Sequence, residues 1–421
     1  MKPHFYSKYI QILESELIPA MGCTEPIAIA YAASVARDEL GVLPSEINIT
    51  VSANIIKNVK SVIVPNTNGL RGISAAAAAG IIAGKSELRL LVISQATQEQ
   101  KKQIADFLES AVFTVNEAPK DELFDITVRL KAGNRQSMCR ISGDHTNIVR
   151  VENNGSSVLK KDIAKTENEA EKHDILTVSD IVKFADCLDI SDVKDVLDRQ
   201  IECNMAIAEE GMNNSYGARI GQILLSSRGS DTATKAKAMA AAASDARMGG
   251  CEKKVVINSG SGNQGITTSV PVIVYARDLN ISYDRLLRAL AVSNLVTIHL
   301  KSNIGPLSAY CGATSAGCGA AAGITYLLGG GEKEVCHTIV NAIAINSGMI
   351  CDGAKASCAA KIASAVEAGL LGMEMYRQGS QFYGGDGIVS KGVENTIANV
   401  GQIADGMKKT DAEIIKIMLG K

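Results

Sequence analysis

Two cysteines with a lysine between them dominate one short stretch in the last quarter of the chain. Cys351 and Cys358 lie seven positions apart, with Lys355 between them. If the stretch is helical, offsets of four and seven place the three side chains on one stripe. Asp352 and Gly353 favour a turn or a helix start, where the helix dipole favours thiolate. Because thiolate is the form that ligates metal, the stretch predicts part of a metal site.

The other cysteines also bear on such a site. The chain has ten cysteines and no pair with CxxC spacing, which argues against zinc ribbons, thioredoxin-like centres and ferredoxin-type loops. Any metal site must therefore join distant segments.

Cys311 and Cys318 repeat the seven-residue spacing, and Cys23 precedes a predicted helix start at Thr24–Pro26. The segment around Cys23 is explained equally well as an ordinary helix cap formed by Thr24 and Glu25, in which the cysteine has no function. The cysteines interpreted as buried apolar residues are those at positions 139, 187, 203, 251 and 336.

Composition excludes several classes of function. The 421 residues are 46% hydrophobic and 21% charged, with a net charge of -2, which suits two or three domains with a large core. No basic run stands out, so we expect neither nucleic acid nor a membrane as a partner. The N-terminus lacks the apolar segment of a secretory signal, and the longest apolar run, 73–84, is too short to cross a bilayer. These features predict a cytoplasmic protein without disulfides.

The elements that must position the cysteines change in character along the chain. Helices are predicted at 5–18, 27–40, 72–83 and 98–109, and strands at 47–52, 88–93, 126–131 and 148–152. From Val178 onward the chain is mostly helical and rich in alanine and glycine. We predict an α+β fold with an inserted α/β lobe (45–157), an exposed connector (158–173) and a helical domain (1–44 and 174–421). We expect the site near the boundary of the two lobes.

Two polar segments are candidates for binding a substrate carboxylate. Segment 54–71 is polar and partly basic, although such loops are more often only solvated. Loop 258–265 is rich in glycine and hydroxyl groups and offers backbone N–H donors to an anion. It lacks the lysine of a P-loop, so nucleotide binding has weak support. The candidate residues are Asn66, Arg71, Ser259, Ser261, Asn263 and Gln264.

Four motifs, spread over essentially the whole chain, carry a resemblance to a known family. They are Gly22-Cys-Thr-Glu-Pro26, Asn258-Ser-Gly-Ser-Gly-Asn-Gln-Gly265, Tyr310-Cys-Gly-Ala-Thr-Ser-Ala-Gly-Cys318 and Cys351-Asp-Gly-Ala-Lys355. Together they resemble the L-cysteine desulfidase family, which is similar to the iron–sulfur L-serine dehydratases. The resemblance implies a lyase with a [4Fe-4S] cluster. Its reaction would convert L-cysteine into pyruvate, ammonia and hydrogen sulfide without pyridoxal phosphate, so the expected partner is a small amino acid.

The resemblance also implies roles for particular residues. Cys23, Cys311 and Cys351 would be the cluster ligands, with Cys358 as a rival ligand and Cys318 as a weaker one. Three protein ligands would leave one iron open as a Lewis acid.

Three residues are candidates for the proton acceptor. Glu25 lies beside a cluster cysteine and would need a raised pKa, which burial provides. Lys355 would lie one turn from Cys351, where it could orient a carboxylate or act as a base. His299 lies on an apolar stretch, where a satisfied core histidine is more common than a catalytic one.

Two alternative functions remain open from the sequence. The same chemistry on L-serine would release water instead of hydrogen sulfide. A non-catalytic structural protein would hold zinc or a cluster with four protein ligands and no open position. The alanine- and glycine-rich helical surface is compatible with a homodimer.

Overall fold

The computed structural model describes residues 3–119, 123–161, 173–305 and 307–419, and its fold is α+β, as the sequence predicts. The α-helices are α1 (Tyr6–Glu16), α2 (Thr24–Leu40), α3 (Ala53–Val59), α4 (Gly72–Ala83), α5 (Gln98–Ser110), α6 (Val178–Cys187), α7 (Lys194–Asn213), α8 (Ile220–Arg228), α9 (Thr232–Met248), α10 (Gly262–Asp278), α11 (Tyr283–Ile304), α12 (Gly312–Leu327), α13 (Glu332–Ile345), α14 (Cys358–Arg377), α15 (Val393–Gly406) and α16 (Lys408–Leu419). The strands are β1 (Pro19–Met21), β2 (Glu46–Val51), β3 (Val112–Glu117), β4 (Asp125–Ala132), β5 (Arg135–Ser142), β6 (Ile148–Asn153), β7 (Ser156–Lys160) and β8 (Lys254–Val256).

Strands β2 to β7 form one mixed sheet in the order β3-β2-β4-β5-β6-β7. Strands β2 and β3 are parallel, and the other neighbours are antiparallel. Alternate residues of β2, namely Ile47, Ile49 and Val51, are buried because they share one face of the strand. Helix α2 packs against β4, β5 and α4, so nearly all of its side chains are buried.

Helix α12 lies at the centre of the helical part and packs against α10, α11, α13 and α14. Its small residues permit this crowding. A Cβ atom on Gly317 would lie 2.5 Å from the carbonyl oxygen of Ala365, and one on Gly319 would lie 2.0 Å from the Thr297 hydroxyl. The alanine- and glycine-rich composition of this region therefore reflects close helix packing.

A second, two-stranded sheet joins segments that are remote in the chain. Strand β1 pairs antiparallel with β8, with Ala20 opposite Val255. Cys23 follows β1 by two residues, and loop 258–265 follows β8 by two residues. The pairing therefore brings the first predicted ligand segment to the polar loop.

Two local predictions are wrong. Segment 88–93 is not a strand, since a 3-10 helix covers Ser86–Leu91. Its backbone hydrogen bonds are local, as in the bond from Val92 N–H to the Arg89 carbonyl, and a short apolar run fits such a turn as well as a strand. Segment 54–71 is also not wholly a loop, because α3 occupies its beginning.

The predicted division into 45–157 and the helical domain of 1–44 with 174–421 stays a prediction. The predicted connector, 158–173, falls mostly outside the described residues, and its first residues belong to β7. Among the residues with a described position, none of the helices combines the length and apolarity needed to cross a bilayer.

Replacing Asn204 with alanine tests how loop 258–265 is held. The buried Asn204 amide accepts from Val256 N–H at 2.8 Å and donates to the carbonyls of Val256 and Gly265 and to the Ser269 hydroxyl. We expect Asn204→Ala to lower the free energy of unfolding by about 2–3 kcal/mol, because it leaves buried backbone groups unpaired. Denaturant unfolding measures this, with exposed Asn213→Ala as the control. Equal stability of the two variants would contradict the role of Asn204.

Candidate active site

Cys311 and Cys351 lie on two segments that form a short antiparallel bridge. The N–H of Cys311 donates to the Met349 carbonyl at 3.0 Å, and the N–H of Cys351 donates to the Ala309 carbonyl at 2.7 Å. This places the two thiols in hydrogen-bond contact. The hydrogen bond from Cys311 lowers the pKa of Cys351, and the same contact raises the pKa of Cys311. Thiolate character is therefore concentrated on Cys351.

The predicted helical stripe of Cys351, Lys355 and Cys358 is wrong. Residues 351–357 are not helical, and α14 begins at Cys358. The chain turns at Gly353, whose φ is 90° and where a Cβ atom would lie 2.5 Å from the Lys57 carbonyl. The turn, rather than a helix face, brings Cys358 back toward the site. Its thiol lies 3.8 Å from the Gly353 carbonyl.

Cys23 reaches the same place from the N-terminal part of the chain. It is the N-cap residue of α2, is 2% exposed, and packs in a small cluster with Cys358. Burial raises the pKa of Cys23, and the neighbouring charge of Glu25 adds to the rise. All four predicted cysteine ligands line one cavity of about 130 Å³.

Glu25 also lines this cavity, and the side chains of Cys23, Thr24 and Asn58 donate hydrogen bonds to it. It accepts hydrogen bonds from the Cys23 thiol at 3.0 Å and from the Asn58 amide at 2.8 Å. Burial raises the pKa of Glu25, as expected from the sequence, but the charge of His145, the hydrogen bond from Cys23 and the charge of Arg247 outweigh it. The net pKa of Glu25 is therefore lowered, and the carboxylate is ionised at neutral pH.

Four basic side chains surround the cysteines. Lys57, Arg247, Lys301 and Lys361 all line the cavity. Burial lowers the pKa of Lys301 to about 8. Their charges offset the negative charge of thiolates, which would otherwise be costly to bury.

Two of these lysines are held by carboxylates. Lys57 pairs with Asp411 of α16 at 2.5 Å, and both side chains are buried. Lys361 pairs with Asp352, the residue after Cys351. The charges beside the cysteines are thus fixed in place by other parts of the fold.

Of the predicted substrate-binding residues in loop 258–265, some line the cavity and one does not. Ser261, Asn263 and Gln264 line the cavity. Ser259 does not, and its hydroxyl donates to Asn258. Loop 258–265 thus contributes its last residues, where α10 begins, and a helix N-terminus favours anions.

The other predicted residues are not part of the cavity lining. Asn66 donates to the Ile93 carbonyl at 2.9 Å, and exposed Arg71 donates to the Ser61 carbonyl at 3.0 Å. Lys355 binds the carbonyls of its own turn.

His299 is likewise not part of the lining, and lies 2.6 Å from a carboxylate oxygen of Glu394. None of these four residues lines the cavity.

Sequence reasoning missed several cavity residues. Lys57 and Asn58 lie in the polar segment 54–71, but in α3 rather than beside Asn66 or Arg71. Arg247 ends an alanine-rich helix and is 2% exposed. The available signal was a single arginine in a helix of mostly small residues. Such a helix is expected to be buried, and arginine is almost never buried without a partner, so Arg247 could have been identified as a candidate for binding an anion.

The side chains around the cavity can be compared with the ligands of a single metal ion and with those of an iron–sulfur cluster. Within the described ranges, no group of three or more His, Cys, Asp or Glu side chains surrounds a position for a single metal ion. Iron–sulfur clusters are held by cysteine thiolates, with each thiolate on a different iron. Four cysteines around one cavity with basic neighbours therefore fit a cluster better than a mononuclear site.

Comparison with known proteins agrees with these features. The family described as serine dehydratase alpha chain matches residues 87–416. A UPF0597 protein of Desulfitobacterium hafniense (strain Y51) is 55% identical over 419 residues, covering 99% of this chain and 97% of the relative. A UPF0597 protein of Lachnoclostridium phytofermentans is 47% identical, covering 98% of this chain and all of the relative. The chain therefore belongs to the serine dehydratase alpha-chain family of iron–sulfur lyases.

Proposed function

We propose that the protein is an L-cysteine desulfidase that depends on a [4Fe-4S] cluster. The observation that carries the proposal is the convergence of Cys23, Cys311, Cys351 and Cys358 on one cavity that also holds Glu25 and buried cations. The reaction removes the α-proton and the thiol of L-cysteine, giving 2-aminoacrylate and hydrogen sulfide. Tautomerisation and hydrolysis of 2-aminoacrylate then give pyruvate and ammonia, with no net redox change.

Cys23, Cys311 and Cys351 are the proposed protein ligands, and Cys358 is the rival for one of these positions. With three protein ligands, a bound cluster would keep one iron open, and this iron would supply a Lewis acid that improves the leaving group. The thiolate favoured on Cys351 supports its role as a ligand. Lys57, Lys301 and Lys361 line the same cavity and stabilise the thiolates.

Glu25 is the proposed acceptor of the α-proton. Its carboxylate lies in the cavity, ionised, and the Asn58 amide orients it. A lowered pKa makes it a weaker base, but holds it ready to accept a proton at neutral pH. Lys301 is a second candidate, because burial makes its neutral amine accessible near physiological pH.

L-Serine dehydration is the second candidate function. The family match to the serine dehydratase alpha chain favours it, and the two substrates differ by one atom. The deciding experiment purifies the protein anaerobically, measures iron and acid-labile sulfide, and compares kcat/KM for L-cysteine and L-serine. We expect the higher value for L-cysteine. A higher value for L-serine would favour the dehydratase, and turnover of neither would support a structural role.

Cysteine variants test the ligand assignment. We expect Cys311→Ser and Cys351→Ser to lose most of the bound iron, because each removes a thiolate from the cavity. Iron content and visible absorbance measure the loss. Cys318→Ala is the matched control, since Cys318 is buried on α12 but does not line the cavity. Full iron content in Cys351→Ser would contradict the assignment, and the Cys358→Ser variant shows which of the rival residues ligates.

A Glu25→Gln variant tests the proton acceptor. The amide keeps the shape of the side chain but cannot accept the proton, so we expect kcat to fall by about 100-fold with iron content unchanged. Steady-state turnover of L-cysteine measures this, with exposed Glu46→Gln as the control. Normal turnover in Glu25→Gln would remove Glu25 from consideration.

The pH profile separates Lys301 from Glu25. Only the neutral amine accepts a proton, and its fraction grows as the pH passes about 8. If Lys301 takes the α-proton, we expect kcat/KM of the wild-type protein to rise through that pH and Lys301→Met to lack the rise. A rise that persists in Lys301→Met would exclude this role.

A further inference from the structure

Arg247 is a buried cation in the cavity whose charge is not neutralised by an ion pair. It is 2% exposed and ends α9 beside the N-terminus of α10. In the part of the chain that the structure describes, its buried Nε atom has no hydrogen-bond partner and no carboxylate forms an ion pair with it. An arginine stays charged at any physiological pH, and burying such a charge alone is costly. This arrangement therefore suits an anion that is supplied from outside the chain.

Because residue 262 is a glycine, the N-terminus of α10 lies directly against the guanidinium of Arg247. A Cβ atom at Gly262 would lie 2.3 Å from Nε and 2.8 Å from Cζ of Arg247. Gly262 is the first residue of α10, and the helix N-terminus adds a partial positive charge and free N–H donors. Both features favour a carboxylate, which a planar guanidinium binds in a bidentate manner.

The same cavity holds buried acceptors that lack donors. Oε1 of Gln264 and Oδ1 of Asn58 have no hydrogen-bond partner among the described residues, and both residues line the cavity. Gly312 leaves room for the first of these, because a Cβ atom there would lie 2.8 Å from Oε1 of Gln264. Unpaired buried acceptors suit a ligand that brings N–H donors.

We propose that Arg247 binds the α-carboxylate of a zwitterionic amino acid, while Gln264 and Asn58 accept hydrogen bonds from its α-ammonium group. This inference rests on the proposed function and extends it, since it names the groups that select an α-amino acid over a simple carboxylic acid. Arg247 and Gln264 are positioning residues for the reaction.

Another explanation assigns Arg247 to the cluster alone. Its charge reaches Cys23 and Glu25, whose pKa values it lowers. If this were its only purpose, replacing it would reduce cluster content and leave amino-acid affinity unchanged. The experiment must therefore measure both quantities.

L-Alanine is a suitable probe, because it has both charged groups and no leaving group. Its affinity for the anaerobically purified protein is measured by calorimetry, together with that of propionate, which lacks the ammonium group. We expect Arg247→Gln to weaken L-alanine binding by about 100-fold with iron content unchanged. Gln264→Leu should weaken binding of L-alanine more than that of propionate. Arg277→Gln, at the exposed far end of α10, is the matched control.

The outcomes separate this inference from the proposed function. Unchanged L-alanine affinity in Arg247→Gln would overturn the inference, with or without loss of iron, as would a wild-type protein that does not bind L-alanine. If Arg247→Gln does not fold, Gly262→Ala, which crowds the guanidinium, replaces it and should also weaken binding. Arg247-dependent binding of L-alanine without turnover of L-cysteine or L-serine would support the inference and refute the proposed function.

Discussion

The site depends on one backbone pairing between two loops. Residues 309–311 and 349–351 exchange hydrogen bonds as a minimal antiparallel bridge, and this fixes the Cys311 and Cys351 thiols against each other. The turn at Gly353 then returns Cys358 to the same cavity. The β1–β8 pairing performs the equivalent task for Cys23 and the polar loop. Backbone hydrogen bonds, rather than a shared helix, therefore set the spacing of the thiols.

Charge balance is the second constraint on this cavity. The Cys351 thiolate and the Glu25 carboxylate lie out of bulk water, so cations must compensate for them. Lys57 and Lys361 do so while paired with Asp411 and Asp352. The Lys57–Asp411 pair also connects α16 at the end of the chain to α3 at the cavity wall. Membership of an iron–sulfur lyase family and this set of cations around the cysteines point to the same kind of chemistry.

Much of the fold was predictable, because the periodic spacing of apolar residues and the local composition indicate helices and strands. Helix α4 begins and ends where the pattern predicts, and the alternating residues of β2 form a strand. The site was predictable only as a set of motifs. Local periodicity placed Cys351 and Cys358 on a helix, whereas a glycine with positive φ and a tertiary bridge determine the real geometry. Arg247 was missed because nothing local shows which buried arginine lacks a carboxylate.

We propose that three remote thiolates would hold a cluster and leave its remaining iron open to the substrate. Mössbauer spectroscopy of iron-57-labelled, anaerobically purified protein, recorded with and without L-cysteine, tests it most directly. We expect L-cysteine to change the signal of one iron in the cluster and to leave the others nearly unchanged. A cluster whose irons are all equivalent and insensitive to L-cysteine, or a protein that holds no iron, would contradict it.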